Sequence, residues 1–129
     1  MSCLERLLAV RPSIPTVTAI GSIVEQQPTS RMAQCTSSVF RPRAVSVTWV
    51  LAGESPVTDT TPTVENSTSP DTFRLTSYFS RSVTRHDNGK MLSCSVNHET
   101  LQSPVIGNTT LKVFCKLSVS LYVHEVCTV

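Results

Sequence analysis

The sequence predicts an all-β chain folded as one antiparallel β-sandwich of about seven strands, and three observations carry that expectation. Valine, serine and threonine are plentiful, whereas glycine occurs only 4 times and alanine is sparse, a balance that favours strands over helices. Short segments of apolar and polar alternation recur, separated by turn-forming proline, asparagine and glycine. An Asp87-Asn88-Gly89 turn opens one such segment centred on Cys94, with Cys35 and Trp49 upstream on segments of their own.

At 129 residues and 40% hydrophobic content, the chain can build one core of ordinary size but not two domains. Its formal net charge is +2, and its eight arginines are scattered from Arg6 to Arg85 beside only three lysines. No basic stripe forms, which argues against a nucleic-acid surface.

Pro12 and Pro15 break the chain before Thr16-Val17-Thr18-Ala19-Ile20, a first strand suited to a sheet edge where proline is tolerated. Ile23-Val24 continues the pairing after a kink, where a first strand changes sheets. Arg31 to Ser37 gives a second strand, with the small residues Ala33, Cys35 and Ser37 on one face by the two-residue period. Ala44 to Leu51 is the third, placing Val45, Val47, Trp49 and Leu51 on one side. Residues 53 to 72 change character, since twelve of these twenty are Ser, Thr or Pro; they read as loop plus one or two short edge strands.

Phe73 to Val83 follows as a strand with Phe73, Leu75, Phe79 and Val83 in phase, Ser77 and Arg81 as exceptions, and a bulge or register change suggested by Tyr78. After the Asp87-Asn88-Gly89 turn, Leu92, Cys94 and Val96 share a face that closes onto Trp49 and Cys35. Glu99 to Ile106 reads as a loop, and Thr109 to Val113 as the last strand through Leu111 and Val113. Trp49, Leu92, Val47 and Leu111 are thus the expected core. The domain is expected over 12–114, with 1–11 and 115–129 as flanks.

Two sequons, Asn66-Ser67-Thr68 and Asn108-Thr109-Thr110, point to a secretory or cell-surface protein glycosylated at Asn66 and Asn108. The ends do not match that location: Glu5 and Arg6 interrupt any apolar run of signal-peptide length. Val113 to Val129 is too short for a span and carries Lys116, His124 and Glu125. The simplest reconciliation is a piece of a longer surface protein.

From Pro12 to Val113 the chain resembles an immunoglobulin-superfamily domain of constant-like type. Pro15-Thr16-Val17-Thr18, Val83-Thr84-Arg85-His86-Asp87-Asn88-Gly89 and Leu92-Ser93-Cys94-Ser95-Val96-Asn97-His98 are most similar to the second domain of nectins and nectin-like adhesion molecules. Cys94 to Leu101 is similar also to antibody-type constant domains. Either resemblance implies a Cys35–Cys94 disulfide between the sheets, with Trp49 lying on it fourteen residues after Cys35. Closing that 59-residue loop stabilises the fold by about 4 kcal/mol in the chain-entropy account. The sequence departs from the common pattern at Leu92, where a tyrosine corner would place Tyr. Five cysteines leave Cys3, Cys115 and Cys127, which are expected to lie in the flanks without a role; a Cys115–Cys127 bridge or an intermolecular bond is the other reading.

No nucleophile elbow and no metal-ligand spacing involving His86, His98 or His124 is present, so neither catalysis nor a cofactor is expected. His86 is assigned to the turn and His98 to a strand end, solvent-facing or locally hydrogen-bonded. The resemblance implies a cell-surface adhesion or recognition module of a single-pass membrane protein, acting as spacer and binding other immunoglobulin-superfamily surface proteins, homophilic or heterophilic. The alternative is an immune-receptor or antibody-type constant domain serving as a dimerisation module.

Overall fold

The computed structural model describes residues 8–20, 23–24, 31–116 and 124–126. Its strands are β1 (Thr16–Ala19), β2 (Ile23–Val24), β3 (Ala33–Phe40), β4 (Val45–Leu51), β5 (Val57–Asp59), β6 (Thr63–Asn66), β7 (Phe73–Phe79), β8 (Met91–His98), β9 (Val105–Thr110), β10 (Val113–Lys116) and β11 (His124–Val126). Two four-stranded antiparallel sheets, ordered β1-β3-β7-β6 and β5-β4-β8-β9, form the sandwich. A smaller sheet joins β11, β10 and β2, and its β2–β10 pairing is parallel. The first strand therefore does change sheets at the kink: β1 pairs with β3, and β2 crosses to β10.

Alternation along each strand places the core. In β4 and β8 every second residue is buried, so Val47, Trp49 and Leu51 face Leu75 and Phe79 of β7 across the sandwich. Trp49, Leu92, Val47 and Leu111 are each at most 2% exposed. The expected edge strands in 53–72 are β5, on β4, and β6, on β7.

Several boundaries differ from the sequence reading. β7 ends at Phe79 rather than Val83, because Arg81 turns away to Glu54 and Asp87 while Val83 enters the core from the connecting segment. Pairing runs unbroken past Tyr78; the irregularity lies instead in β3 between Ser38 and Phe40, where Val39 takes a positive φ of 60°. β9 begins at Val105, so Val105 and Ile106 of the expected loop are strand, and the expected strand from Thr109 to Val113 is divided between β9, ending at Thr110, and β10, beginning at Val113. β10 continues to Lys116, beyond residue 114. Before β1, Val10 exchanges backbone hydrogen bonds with Arg41, and the Ser37 hydroxyl donates to the Ser13 carbonyl at 2.6 Å. The chain thus runs from the β3–β4 turn at one pole to β10 at the other.

Candidate interaction faces

The pin between the sheets fixes both outer faces. Cys35 and Cys94 are disulfide-bonded and fully buried. Trp49 pairs in register with Cys94, and Ser77 pairs with Cys35. A second link runs parallel to the disulfide: the Trp49 Nε1–H donates to Ser77 Oγ at 2.9 Å, and the Ser77 hydroxyl donates to Asp59 Oδ2 at 2.6 Å. Phe79 packs on the Trp49 ring at 5.4 Å between centroids. Ser77, an exception in an apolar phase, is the acceptor that lets a buried indole keep its hydrogen bond. An isolated polar residue in phase on a strand opposite Cys35 was the available signal.

The turn before β8 is closed without a tyrosine. Leu92 sits fully buried in the core, and Arg85–Asp87 forms a 3-10 turn capped by Thr84. Asp87, 3% exposed, accepts from the Thr84 N–H at 2.9 Å and from Lys90 Nζ at 3.1 Å, with Arg81 at 3.6 Å. Burial alone would push its carboxyl up; the Thr84 N–H, the Lys90 ammonium and the Arg81 guanidinium outweigh that and hold it below the ordinary value. Asn88 Oδ1 accepts from the Val113 N–H at 2.9 Å, tying the turn to β10. His86 lies in this turn.

His98 ends β8 and is locally hydrogen-bonded, to Thr100, as one of its two expected settings had it; it is not solvent-facing. It shares the parity of Leu92, Cys94 and Val96, is 5% exposed, and meets the Phe40 ring edge-on at 5.5 Å. Its Nε2 donates to the Pro42 carbonyl at 2.8 Å, and Nδ1 accepts from the Thr100 N–H at 3.2 Å. These partners fix the tautomer, because a carbonyl only accepts and a backbone N–H only donates. Cys115 is disulfide-bonded, which overturns the expectation that it is a cysteine without a role; Cys3 and Cys127 lie outside the described residues. Among the described residues no cluster of His, Cys, Asp or Glu is placed to hold a metal ion.

The two outer faces differ in charge. On the β5-β4-β8-β9 sheet, β4 presents Ser46, Thr48 and Val50, and β8 presents Met91, Ser93, Ser95 and Asn97. From β9 come Ile106, Asn108 and Thr110. None is charged. On the opposite sheet Arg74 pairs with Glu65 at 3.2 Å, the Arg31 guanidinium lies 4.2 Å over the Tyr78 ring, and Thr16, Thr36, Thr76 and Thr63 form one row across the four strands. Of the sequon asparagines, Asn108 is exposed within β9 and Asn66 is exposed at the end of β6. A cleft of about 300 Å³ opens between β5 and the end of β7, floored by Trp49, Leu51 and Phe79. Its charged lining is already engaged: Asp59 accepts from Ser77 and from the Thr61 N–H, and Arg81 pairs with Glu54.

This frame of a disulfide, a tryptophan between two sheets and short edge strands agrees with a match of residues 15–105 to the CD80-like C2-set immunoglobulin domain. The chain belongs to that family. This C2-set domain is 33% identical over 91 residues to mouse cell adhesion molecule 3, a match covering 70% of the chain and 22% of the relative. The chain thus spans about a fifth of that relative's length. Among solved structures it is similar to the full ectodomain of mouse nectin-like molecule 4, with TM-score 0.67 and 18% identity over 83% of this chain and 35% of that one. It is also similar to Rst D1-D2, with TM-score 0.68 and 18% identity over 81% of this chain and 50% of that one. These two likenesses show the fold. The domain is an immunoglobulin-like module related to cell adhesion molecules.

Proposed function

We propose that this C2-set domain is a cell-surface spacer in an adhesion molecule, holding a recognition surface away from the membrane and touching protein partners of the immunoglobulin superfamily. The observation that carries the reading is the path of the chain: Val10 lies against Arg41 at one pole, and β10, with β11 folded back along it, starts beside Asn88 at the other. A module threaded end to end transmits length, as a spacer must. The likeness to an adhesion molecule supports the surface location, as do sequons at two exposed asparagines. Residues 12–114 remain our assignment of the domain, with Asn66 and Asn108 as its glycan carriers.

The rival reading, a dimerising constant domain, calls for a continuous apolar sheet face. On the β5-β4-β8-β9 sheet, Val50, Met91 and Ile106 are instead separated by serine, threonine and asparagine. Sedimentation of the purified secreted chain separates the two: the spacer reading expects a monomer through the micromolar range, and a stable dimer would replace it with the dimerisation module.

A further inference from the structure

We propose that the outer face of the β5-β4-β8-β9 sheet is the seat of an N-linked glycan carried by Asn108, so that sugar covers this sheet. The inference rests on the reading of Asn108 as glycosylated and goes beyond it by saying where the glycan lies.

Asn108 does not sit at a loop tip. It pairs in register with Ser93, which pairs with Val50, so its side chain stands in an outward row that crosses the sheet. Ile106 and Thr110 flank it two residues away on the same side, and Met91, the register partner of Thr110, lies diagonal to it. A glycan leaving Asn108 therefore starts on the outward side of the edge strand, at the end of a row that leads across the sheet face. What it meets there suits a sugar: hydroxyl and amide groups for its hydroxyls, apolar patches for its C–H faces, and no charge that would need water. Ile106 is 54% exposed and Met91 49% exposed, on a sheet where uncovered apolar residues invite association. A covering sugar removes that liability.

Asn66 behaves differently. It has the parity of Val64 and pairs with Phe73, both turned toward the core, so a glycan there leaves from the rim of the sandwich.

The test uses the full chain, directed into the secretory pathway of a glycosylating host, beside Asn108→Gln and Thr110→Ala, each of which destroys the sequon. Glycopeptide mass spectrometry reads occupancy, and hydrogen peroxide reads cover through the oxidation rate of Met91, with buried Met32 as the internal control of folding. Enzymatic removal of the glycan from the folded wild-type chain repeats the comparison without a substitution. The expected result is an occupied Asn108 and Met91 oxidation several-fold slower in the glycosylated chain than in either variant or the deglycosylated chain, with Met32 protected throughout. An unoccupied Asn108 overturns the glycosylation reading and this inference with it. An occupied Asn108 with equal Met91 rates overturns the inference alone.

Discussion

Replacing Ser77 by alanine removes one oxygen that serves two partners. Ser77 is 1% exposed and Trp49 2% exposed, so water does not replace the lost acceptor and the indole N–H is orphaned. An orphaned buried donor costs about 1–3 kcal/mol. Asp59 is half-buried and keeps the Thr61 N–H, so losing the Ser77 hydroxyl there costs it at most about 1 kcal/mol. The sum is about 1–4 kcal/mol, a sizeable part of the roughly 5–15 kcal/mol that holds a domain folded. In a domain of this size that lowers the thermal midpoint by about 5–20 °C.

Urea denaturation followed by far-UV circular dichroism measures it, and the single tryptophan supplies a local probe. The deciding step is the double-mutant cycle with Trp49→Phe, which removes the donor. In that background Ser77→Ala should cost about 1–2 kcal/mol less than it does alone. Strict additivity, or a Ser77→Ala cost below about 0.5 kcal/mol, would refute the account of Ser77 as the indole's obligatory acceptor.

Three further outcomes are expected. Asp87→Asn should cost about 1–2 kcal/mol near neutral pH by weakening the hydrogen bonds from the Thr84 N–H and Lys90, while Lys90 and Arg81 both keep Glu54. Because the folded carboxyl titrates below its ordinary value, the Asp87 contribution is complete above that value and fades as pH falls through it; urea midpoints of wild type and variant should therefore converge in acid. Gly107→Ala places a Cβ 2.0 Å from the Pro15 carbonyl oxygen, a backbone atom, so β1 must move off β9; a loss of about 2 kcal/mol or more in urea denaturation is expected. At Val39 a β-branched residue holds a left-handed conformation that costs it about 1–2 kcal/mol, against about 0.5–1 kcal/mol for the freedom of glycine. Val39→Gly should accordingly leave the thermal midpoint unchanged or raise it, and a clear drop refutes the strain.

What the sequence revealed followed one rule, the two-residue period. Val47, Trp49, Leu51, Leu92, Cys94 and Val96 are bulky or sulfur-bearing and in phase, so their faces could be read without knowing what they meet. Ser77 and His98 obey the same period but are polar. Parity placed them inside, whereas side-chain chemistry suggested otherwise, and their partners Trp49 and Pro42 lie 28 and 56 residues away.

The strand missed at its start shows the other limit. β9 carries Gly107 on its inward side, because Pro15 crosses there, and Ile106 on its outward side, so the usual polarity is reversed just where the strand begins. Nothing local distinguishes such a segment from a loop. The difference matters for function: with a strand beginning at Thr109, Asn108 would stand at its start with no partner across the sheet. With the strand beginning at Val105, Asn108 is the fourth residue of a paired strand, and its alternation with Ile106 and Thr110 sets its side chain over Ser93 and beside Met91. Four more residues of strand make the sequon asparagine an outward, register-paired position on the edge strand of the sheet.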